Sequence, residues 1–405
     1  MTTRTQELAA DFASEIIALR RQLHQNPEIG LHLPQTQQQI LEALKPLDLE
    51  ITLGEGLSSI TAVLRGGAET EKSEDRPVVL LRGDMDGLPV TELVDVPFKS
   101  VNGAMHACGH DMHVAGLVGA AKVLHAMREE LAGDVVFMFQ PGEEGPGGAK
   151  PMIDEGLLEA AGRRVDAAYG LHVMSDQAPL GVWTGRPKTL MASPDNLRVK
   201  FIGQGGHGSS PFRANDPVPA LCEAVLALQT MVTRHFDIFD PIVVTVGRIA
   251  GGSKENIISD SAEFDATVRS FSVESRAKVE DYSVRLIKGI AEAHGLQADV
   301  EFEHVYPVTV NDEAEFAFTQ GVIEELFGEE RFHLMENPIP GGEDFSYVLE
   351  EVPGTFVFLS ACAHQDPRNA DGNHSPRANF DDSVLADGAA LLAELAVRRL
   401  NRATV

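Results

Sequence analysis

The chain has 405 residues, a formal charge of −28, 43% apolar and 23% charged residues. This is the composition of a soluble globular protein too long for one small core, so two domains are expected. The negative charge is spread along the chain, which argues against nucleic acid and anionic membrane as partners, and no apolar run approaches the ~20 residues that span a bilayer.

The N-terminal stretch repeats Leu8, Phe12, Ile16, Leu19 and Leu23 at helical spacing, predicting a helix over 6–24. It is charged and amphipathic and lacks a secretory apolar core. The three cysteines, Cys108, Cys222 and Cys362, are too few and too scattered for a disulfide framework, so a cytoplasmic, reducing location is expected. Residues 69–75 read as a solvated charged loop. The run Pro77–Leu81 reads as a buried strand, followed by Asp84 and Asp86. His106-Ala-Cys-Gly-His-Asp-Met-His113 then leads into a helix over about 111–130. A strand at Val135–Phe139 precedes Glu143 and Glu144, one at Asp166–Leu171 precedes His172, and one at Gly354–Leu359 precedes His364 and His374. Alternation of strands and helices predicts an α/β sheet, and ligands collect at the carboxyl ends of strands in such sheets.

Residues near 195–305 follow another rhythm. A strand over Asn196–Ile202 is followed by the glycine-rich loop around His207 and a helix over 216–234. Strands over 241–246 and 261–271, a helix over 274–294 and a strand over 297–305 complete it. The order β-α-β-β-α-β is that of a ferredoxin-like unit. The expected organisation is therefore a first domain formed by 1–190 and 306–405, interrupted by an inserted α+β domain over 191–305.

The chemistry sits at the strand ends. Thiolate and imidazole at Cys108 and His110 suit zinc-like ions, and a thiolate can bridge two cations; the plain alternative is a buried cysteine beside surface histidines. His106 and His113 are expected to support the site rather than ligate, and Asp84 is left open between ligand and loop residue. Glu143 and Glu144 are adjacent and point different ways, so one can hold a metal while the other takes the proton of an attacking water. Asp86 can orient a ligand histidine or serve as a turn residue. His172 reads as a ligand or as a satisfied core histidine, and His374 alone reads as a surface residue. His207, where glycines let backbone approach a ligand closely, can donate to a developing oxyanion. Arg269 can clamp a carboxylate; Asn256 lies in the same inserted unit.

Taken together, His-Ala-Cys-Gly-His-Asp-Met-His, Arg82-Gly-Asp-Met-Asp-Gly-Leu-Pro89, Gln140-Pro-Gly-Glu-Glu-Gly145, Gly205-Gly-His-Gly208 and Gly341-Gly-Glu-Asp-Phe-Ser346 resemble the M20 metallopeptidases, and most closely the amidohydrolase branch of aminoacylases, hippurate hydrolases and indoleacetyl-amino-acid hydrolases. The resemblance covers nearly the whole chain in order. It implies a zinc-peptidase-like catalytic domain with an inserted lid that dimerises, giving a homodimer or a higher oligomer. It also implies two divalent ions, zinc or manganese in the first place and cobalt or nickel as alternatives. Cys108, His110, Glu144, His172 and His374 are the ligands it implies, with Glu143 as general base and then acid, and Asp86 behind the ligands. His207 is the implied oxyanion donor, and Asn256 and Arg269 lie near the substrate's carboxylate. The activity implied is hydrolysis of N-acyl-L-amino acids to a carboxylic acid and a free amino acid. A dipeptidase or exopeptidase of the same family, or a silent binding protein, are the rival readings. The chain departs from the family pattern at Asn26, where a histidine is usual, at Phe212, at Ile257-Ile-Ser-Asp260 and at Phe264-Asp-Ala-Thr-Val268. These departures touch the lid and the substrate's surroundings rather than the ligands.

Overall fold

The computed structural model describes residues 2–68 and 76–402; the expected charged loop over 69–75 lies outside the described residues. The chain divides into two compact units, one formed by Met1–Lys188, Val310–Glu336 and Tyr347–Val405, the other by Thr189–Thr309 and Asn337–Ser346.

The first unit is built on an eight-stranded mixed sheet, in the order Glu50–Leu53, Ile60–Leu64, Asp134–Gln140, Val78–Asp84, Ala167–Met174, Gly354–Ser360, Trp183–Gly185 and Phe332–Leu334. The four central strands are parallel to one another. Every one of their residues is buried, as expected for parallel strands covered on both faces. This is why they read as continuous apolar runs rather than as alternating ones. The α/β class expected from the sequence is what the fold shows.

Helices Arg4–Gln25, His110–Ala126 and Leu385–Arg402 contribute to one core with this sheet. The first begins with a capping box between Thr3 and Gln6. His110–Ala126 is apolar around nearly its whole circumference because it is buried among neighbours. Gly119 is a point of close packing: a Cβ there would stand 2.8 Å from Ala389 Cβ and 3.2 Å from Ile16 Cγ2.

The expected elements differ from the observed ones mainly at their ends. Val78–Asp84 and Ala167–Met174 run further than their apolar cores, so Asp84 and His172 lie within strands and not after them. The expected helix over 111–130 stops at Ala126 and continues as a separate short turn, Arg128–Glu130.

The second unit has the element order strand Ser193–Ile202, helix Pro217–His235, strands Ile242–Gly251 and Ser261–Ser270, helix Val273–Ala293 and strand Gln297–Glu303. In sheet order, Ile242–Gly251 lies beside Ser261–Ser270, then Ser193–Ile202, then Gln297–Glu303, all antiparallel. Alternation along Ser261–Ser270 buries Ala262, Phe264, Ala266 and Val268 in the core with Leu197, Val199 and Phe201. On the opposite face, Arg248 pairs with Glu263 and Asp265, and Arg198 with Glu303. Residues Asn337–Ser346, which the sequence reading left with 306–405, cluster with this unit. Backbone bonds between Ile339 and both Leu190 and Ala192 tie the segment there, and Gly342 sits where a Cβ would be 2.4 Å from Pro194.

Candidate metal centre

The parallel register aligns Asp84 with Gln140, and Met174 with Ser360, so the strands present their carboxyl ends along one edge. Four loops leave this edge, and the sequence places its charged and metal-type residues on or beside them.

Cys108 and His110 lie where the loop after residue 103 turns into the His110–Ala126 helix. The turn is made by Gly109 at φ +82°. Only glycine fits: a Cβ there would stand 2.4 Å from Val173 Cγ2. The ligand-type atoms of Cys108, His110 and His172 lie within 4.8 Å of one another, and so do those of Cys108, Glu144 and His374. Cys108 therefore belongs to two groups at once. Its Sγ is 3.3 Å from His172 Nε2, and Glu144 Oε1 is 3.1 Å from His374 Nε2. His110, Glu143 and Glu144 form a further group of the same tightness.

His374 adopts a left-handed backbone at φ +70°, a conformation that costs a non-glycine residue about 1–3 kcal/mol unless its surroundings hold it. Its backbone N–H donates to Ala107 O at 2.9 Å, which anchors the late loop beside Cys108. His364, the other histidine after the last central strand, is exposed and belongs to none of these groups.

The supporting residues separate cleanly. The Asp86 carboxylate accepts from the backbone N–H of Glu143 at 3.0 Å and of Glu144 at 3.1 Å, and its Oδ1 lies 3.5 Å from His110 Nδ1. One buried carboxylate thus fixes the paired glutamates and faces a ring. Asp84 is engaged otherwise: Oδ1 meets His113 Nδ1 at 2.5 Å, and Oδ2 meets Arg82 at 2.7 Å. The other ring nitrogen of His113, Nε2, accepts from Val173 N–H at 2.8 Å. Both nitrogens of His113 have partners and Asp84 pairs with Arg82, so these residues brace the strand ends, while the ligand-type atoms of Asp84, His110 and His113 also lie within 4.8 Å of one another. His106 is buried and stands outside the ligand-type groups; burial holds its ring down to about 3.

Behind His110 lies a second buried network. Arg20 Nε pairs with Asp111 Oδ2 at 2.7 Å, and His24 bridges Asp111 at 2.8 Å and Glu92 at 3.1 Å. It ties the N-terminal helix to the first turn of the helix that carries His110. The departure at Asn26 falls at the C-cap of the N-terminal helix, and the neighbouring Glu28 O accepts from Gly87 N–H at 2.7 Å. That N-terminal motif therefore shapes the backbone next to Asp86.

The donor set fits divalent cations. It offers a thiol, three imidazoles and a carboxylate, a mixture suited to zinc-like ions. Neither ring nitrogen of buried His110 makes a well-formed hydrogen bond; Asp86 and Asp84 oxygens stand 3.5 Å from Nδ1 and Nε2. Buried polar atoms are normally satisfied, and a cation would satisfy these. Burial, reinforced by the charges of His113 and His110, drives His172 well below the usual histidine range, which favours the neutral ring a metal requires. Hydrogen bonds to Cys108 and Glu144 push His374 up to about 10. Burial opposes charge on His110, yet Asp84, Asp86 and Cys108 together hold it well above its usual value. The cluster thus draws positive charge, as protons or as cations.

In the second unit, the short pairing of Gly206–His207 with Ile257–Ile258 sets the His207 segment beside Asn256, where Gly208 N–H donates to Asn256 O at 2.9 Å. The His207 ring is exposed, and its Nδ1 meets Ser209 Oγ at 2.9 Å. Arg269 lies apart from them, half-buried on the sheet face away from the helices, opposite Pro194 and Val243. Among the described residues it has no ion-pair partner, unlike Arg198 and Arg248 on the same face, and burial lowers its pKa.

The sequence reading missed Asn373 and Ser175. Ser175 N–H donates to Asn373 Oδ1 at 3.0 Å, and Asn373 Nδ2 donates to Val173 O at 3.1 Å. The only local sign was an asparagine directly before His374.

Residues 80–398 match the description Peptidase family M20/M25/M40. The chain is 37% identical to thermostable carboxypeptidase 2 of Saccharolobus solfataricus, with 96% of each chain covered. It is 34% identical to the hippurate hydrolase of Campylobacter jejuni, with 96% of this chain and 98% of that one covered. Among solved structures, the YxeP protein of Bacillus subtilis, described as a dinuclear metal-binding peptidase, superposes with a TM-score of 0.81 at 31% identity, covering 97% and 99% of the two chains. A family match over most of the chain, with full-length relatives above 30% identity, makes this protein a member of peptidase family M20/M25/M40.

Proposed function

We propose that this protein is a metal-dependent amidohydrolase that cleaves N-acyl-L-amino acids to a carboxylic acid and a free amino acid. The observation that carries this reading is the position of Cys108, shared between one group with His110 and His172 and another with Glu144 and His374, with Glu143 grouped with His110 and Glu144. Those five residues would hold two divalent ions. Zinc suits the thiolate and imidazoles best, and the nitrogen and oxygen ligands are compatible with manganese, cobalt or nickel. When bound, such ions polarise a carbonyl and lower the pKa of water.

The chain's own groups divide the remaining work. Glu143 accepts the proton of the attacking water and later delivers it to the departing amine nitrogen. Asp86 holds the backbone of Glu143 and Glu144, whose carboxylates both reach the group around His110. His207 donates to the oxyanion of the tetrahedral intermediate. Arg269, without an ion-pair partner among the described residues, meets the carboxylate of the substrate, and Asn256 lies beside His207 in the substrate's surroundings. This assignment makes the second unit a lid, and the protein a cytoplasmic homodimer through it, without nucleic-acid or membrane partners. No helix among the described residues is long and apolar enough to cross a membrane.

The relatives' names divide between N-acyl amino acids and peptides: a hippurate hydrolase and an N-acetylcysteine deacetylase on one side, a carboxypeptidase on the other. The test is therefore amine release from acetyl-, benzoyl- and long-chain-acyl amino acids alongside dipeptides, after chelation and after restoring zinc or manganese. Metal-restored cleavage of the acyl substrates is expected. Cleavage of dipeptides alone moves the assignment to a peptidase, and silence from folded, metal-loaded protein refutes both.

A further inference from the structure

The amide of Asn373 touches three separate parts of the centre. Its Oδ1 accepts from Ser175 N–H at 3.0 Å and from Ser175 Oγ at 2.9 Å. These donors fix which end of the amide is oxygen, so Nδ2 points the other way. There it finds Val173 O at 3.1 Å, Cys108 O at 3.3 Å and Cys108 Sγ at 3.7 Å. Nδ2 carries two hydrogens: Val173 O takes one, and the carbonyl and sulfur of Cys108 share the other.

Each contact bears on a group that would hold a cation. Val173 O also accepts from His172 Nδ1 at 2.8 Å, which turns His172 Nε2 toward Cys108 Sγ, 3.3 Å away. Asn373 thus secures the carbonyl that sets the tautomer and orientation of His172. At Cys108 it supplies an N–H beside the sulfur that belongs to both ligand-type groups. It also immediately precedes His374, whose left-handed backbone is held by Ala107 O. One side chain therefore spans Cys108, the His172 strand end and His374.

We propose that Asn373 is a positioning residue of the metal centre: its amide N–H groups hold Cys108 and His172 in register with His374 and draw electron density from the Cys108 sulfur. A hydrogen bond to a thiolate moderates its donation to a cation, and partners of this kind typically change metal affinity 10–100-fold. The inference rests on the metal reading above, and its test separates the two.

Asn373→Asp keeps an oxygen for Ser175 but replaces both N–H donors by an acceptor facing two carbonyls and a sulfur. Ser175→Ala removes one hydroxyl from the tether while leaving every Asn373 donor in place. Wild type and both variants are loaded with cobalt(II). Cobalt affinity is measured by chelator competition, and the thiolate-to-cobalt charge-transfer band by near-ultraviolet absorption; circular dichroism of the metal-free proteins checks folding. For Asn373→Asp, affinity about 10–100-fold weaker and a shifted charge-transfer band are expected. Ser175→Ala should stay near wild type in both. Wild-type affinity and band in Asn373→Asp overturn the inference, as does an equal loss in Ser175→Ala, which would reduce Asn373 to a loop tether. Absence of the band in loaded wild type would instead remove Cys108 from the ligands, and with it the part of the metal reading on which the inference rests.

Discussion

Replacing Asp86 tests the centre where stability and metal binding meet. Its carboxylate receives two backbone N–H groups, from Glu143 at 3.0 Å and Glu144 at 3.1 Å, and faces His110 Nδ1 at 3.5 Å. In Asp86→Asn one oxygen remains for one donor, and the new NH2 group confronts the other. An unpaired buried donor costs about 1–3 kcal/mol, so Asp86→Asn should lose about that much and Asp86→Ala about twice as much. At about 2–4 °C per kcal/mol for a domain of 150–250 residues, the metal-free Asn variant should melt several degrees lower. His110 loses its carboxylate neighbour at the same time, so metal affinity should fall roughly 10–100-fold. Calorimetry of the metal-free protein reads the first effect and chelator competition the second. An Asn variant that melts with wild type and binds metal equally well would refute the argument.

Other substitutions probe separate parts of the molecule. Glu143→Gln should keep its metal content, measured by atomic emission, while kcat/KM falls by about 10²–10⁴; near-wild-type turnover would remove Glu143 from the proton-transfer role. Gly119→Ala introduces a methyl 2.8 Å from Ala389 Cβ, and overpacking of this kind costs about 1–3 kcal/mol. Its melting temperature should drop while activity well below that temperature stays intact. For His24, burial opposes protonation but Asp111 and Glu92 outweigh it, so the folded pKa is raised. Its stabilising contribution is then full below the unfolded value of about 6.5 and is lost as pH rises through the raised folded value. The stability gap between wild type and His24→Gln, followed by chemical denaturation of metal-free protein, should narrow from pH 5.5 to pH 8.5, on the order set by those pKa values. A gap that does not change with pH would show that His24 acts through packing alone.

The comparison between sequence and structure turns on range. Val78–Leu81 and Val135–Phe139 were readable as central strands because burial on both faces leaves an unbroken apolar run, a local signal. Parallel strands must end at the same edge, so residues beside four strand ends are brought together by the topology; that Cys108, His110, Glu144, His172 and His374 are the set that meets there was implied by the resemblance of the motifs, since His374 alone reads as a surface residue. The inserted unit's element order could likewise be read from alternating periodicities.

Atomic roles were decided only by the folded structure. Asp84 and Asp86 are two residues apart in the same motif, yet one is consumed by Arg82 and His113 and the other by two backbone N–H groups across the sheet edge. His113, expected from the sequence to support the site rather than ligate, has one ring nitrogen at Asp84 and the other at the Val173 N–H. Asn373 lies 265 positions from Cys108, and no local pattern encodes that pairing. The sequence by itself determined which side chains reach the strand ends, because periodicity and parallel topology are properties of the chain. Only the tertiary structure decided which of their atoms remain available, because hydrogen-bond satisfaction in a buried site depends on partners brought from distant segments.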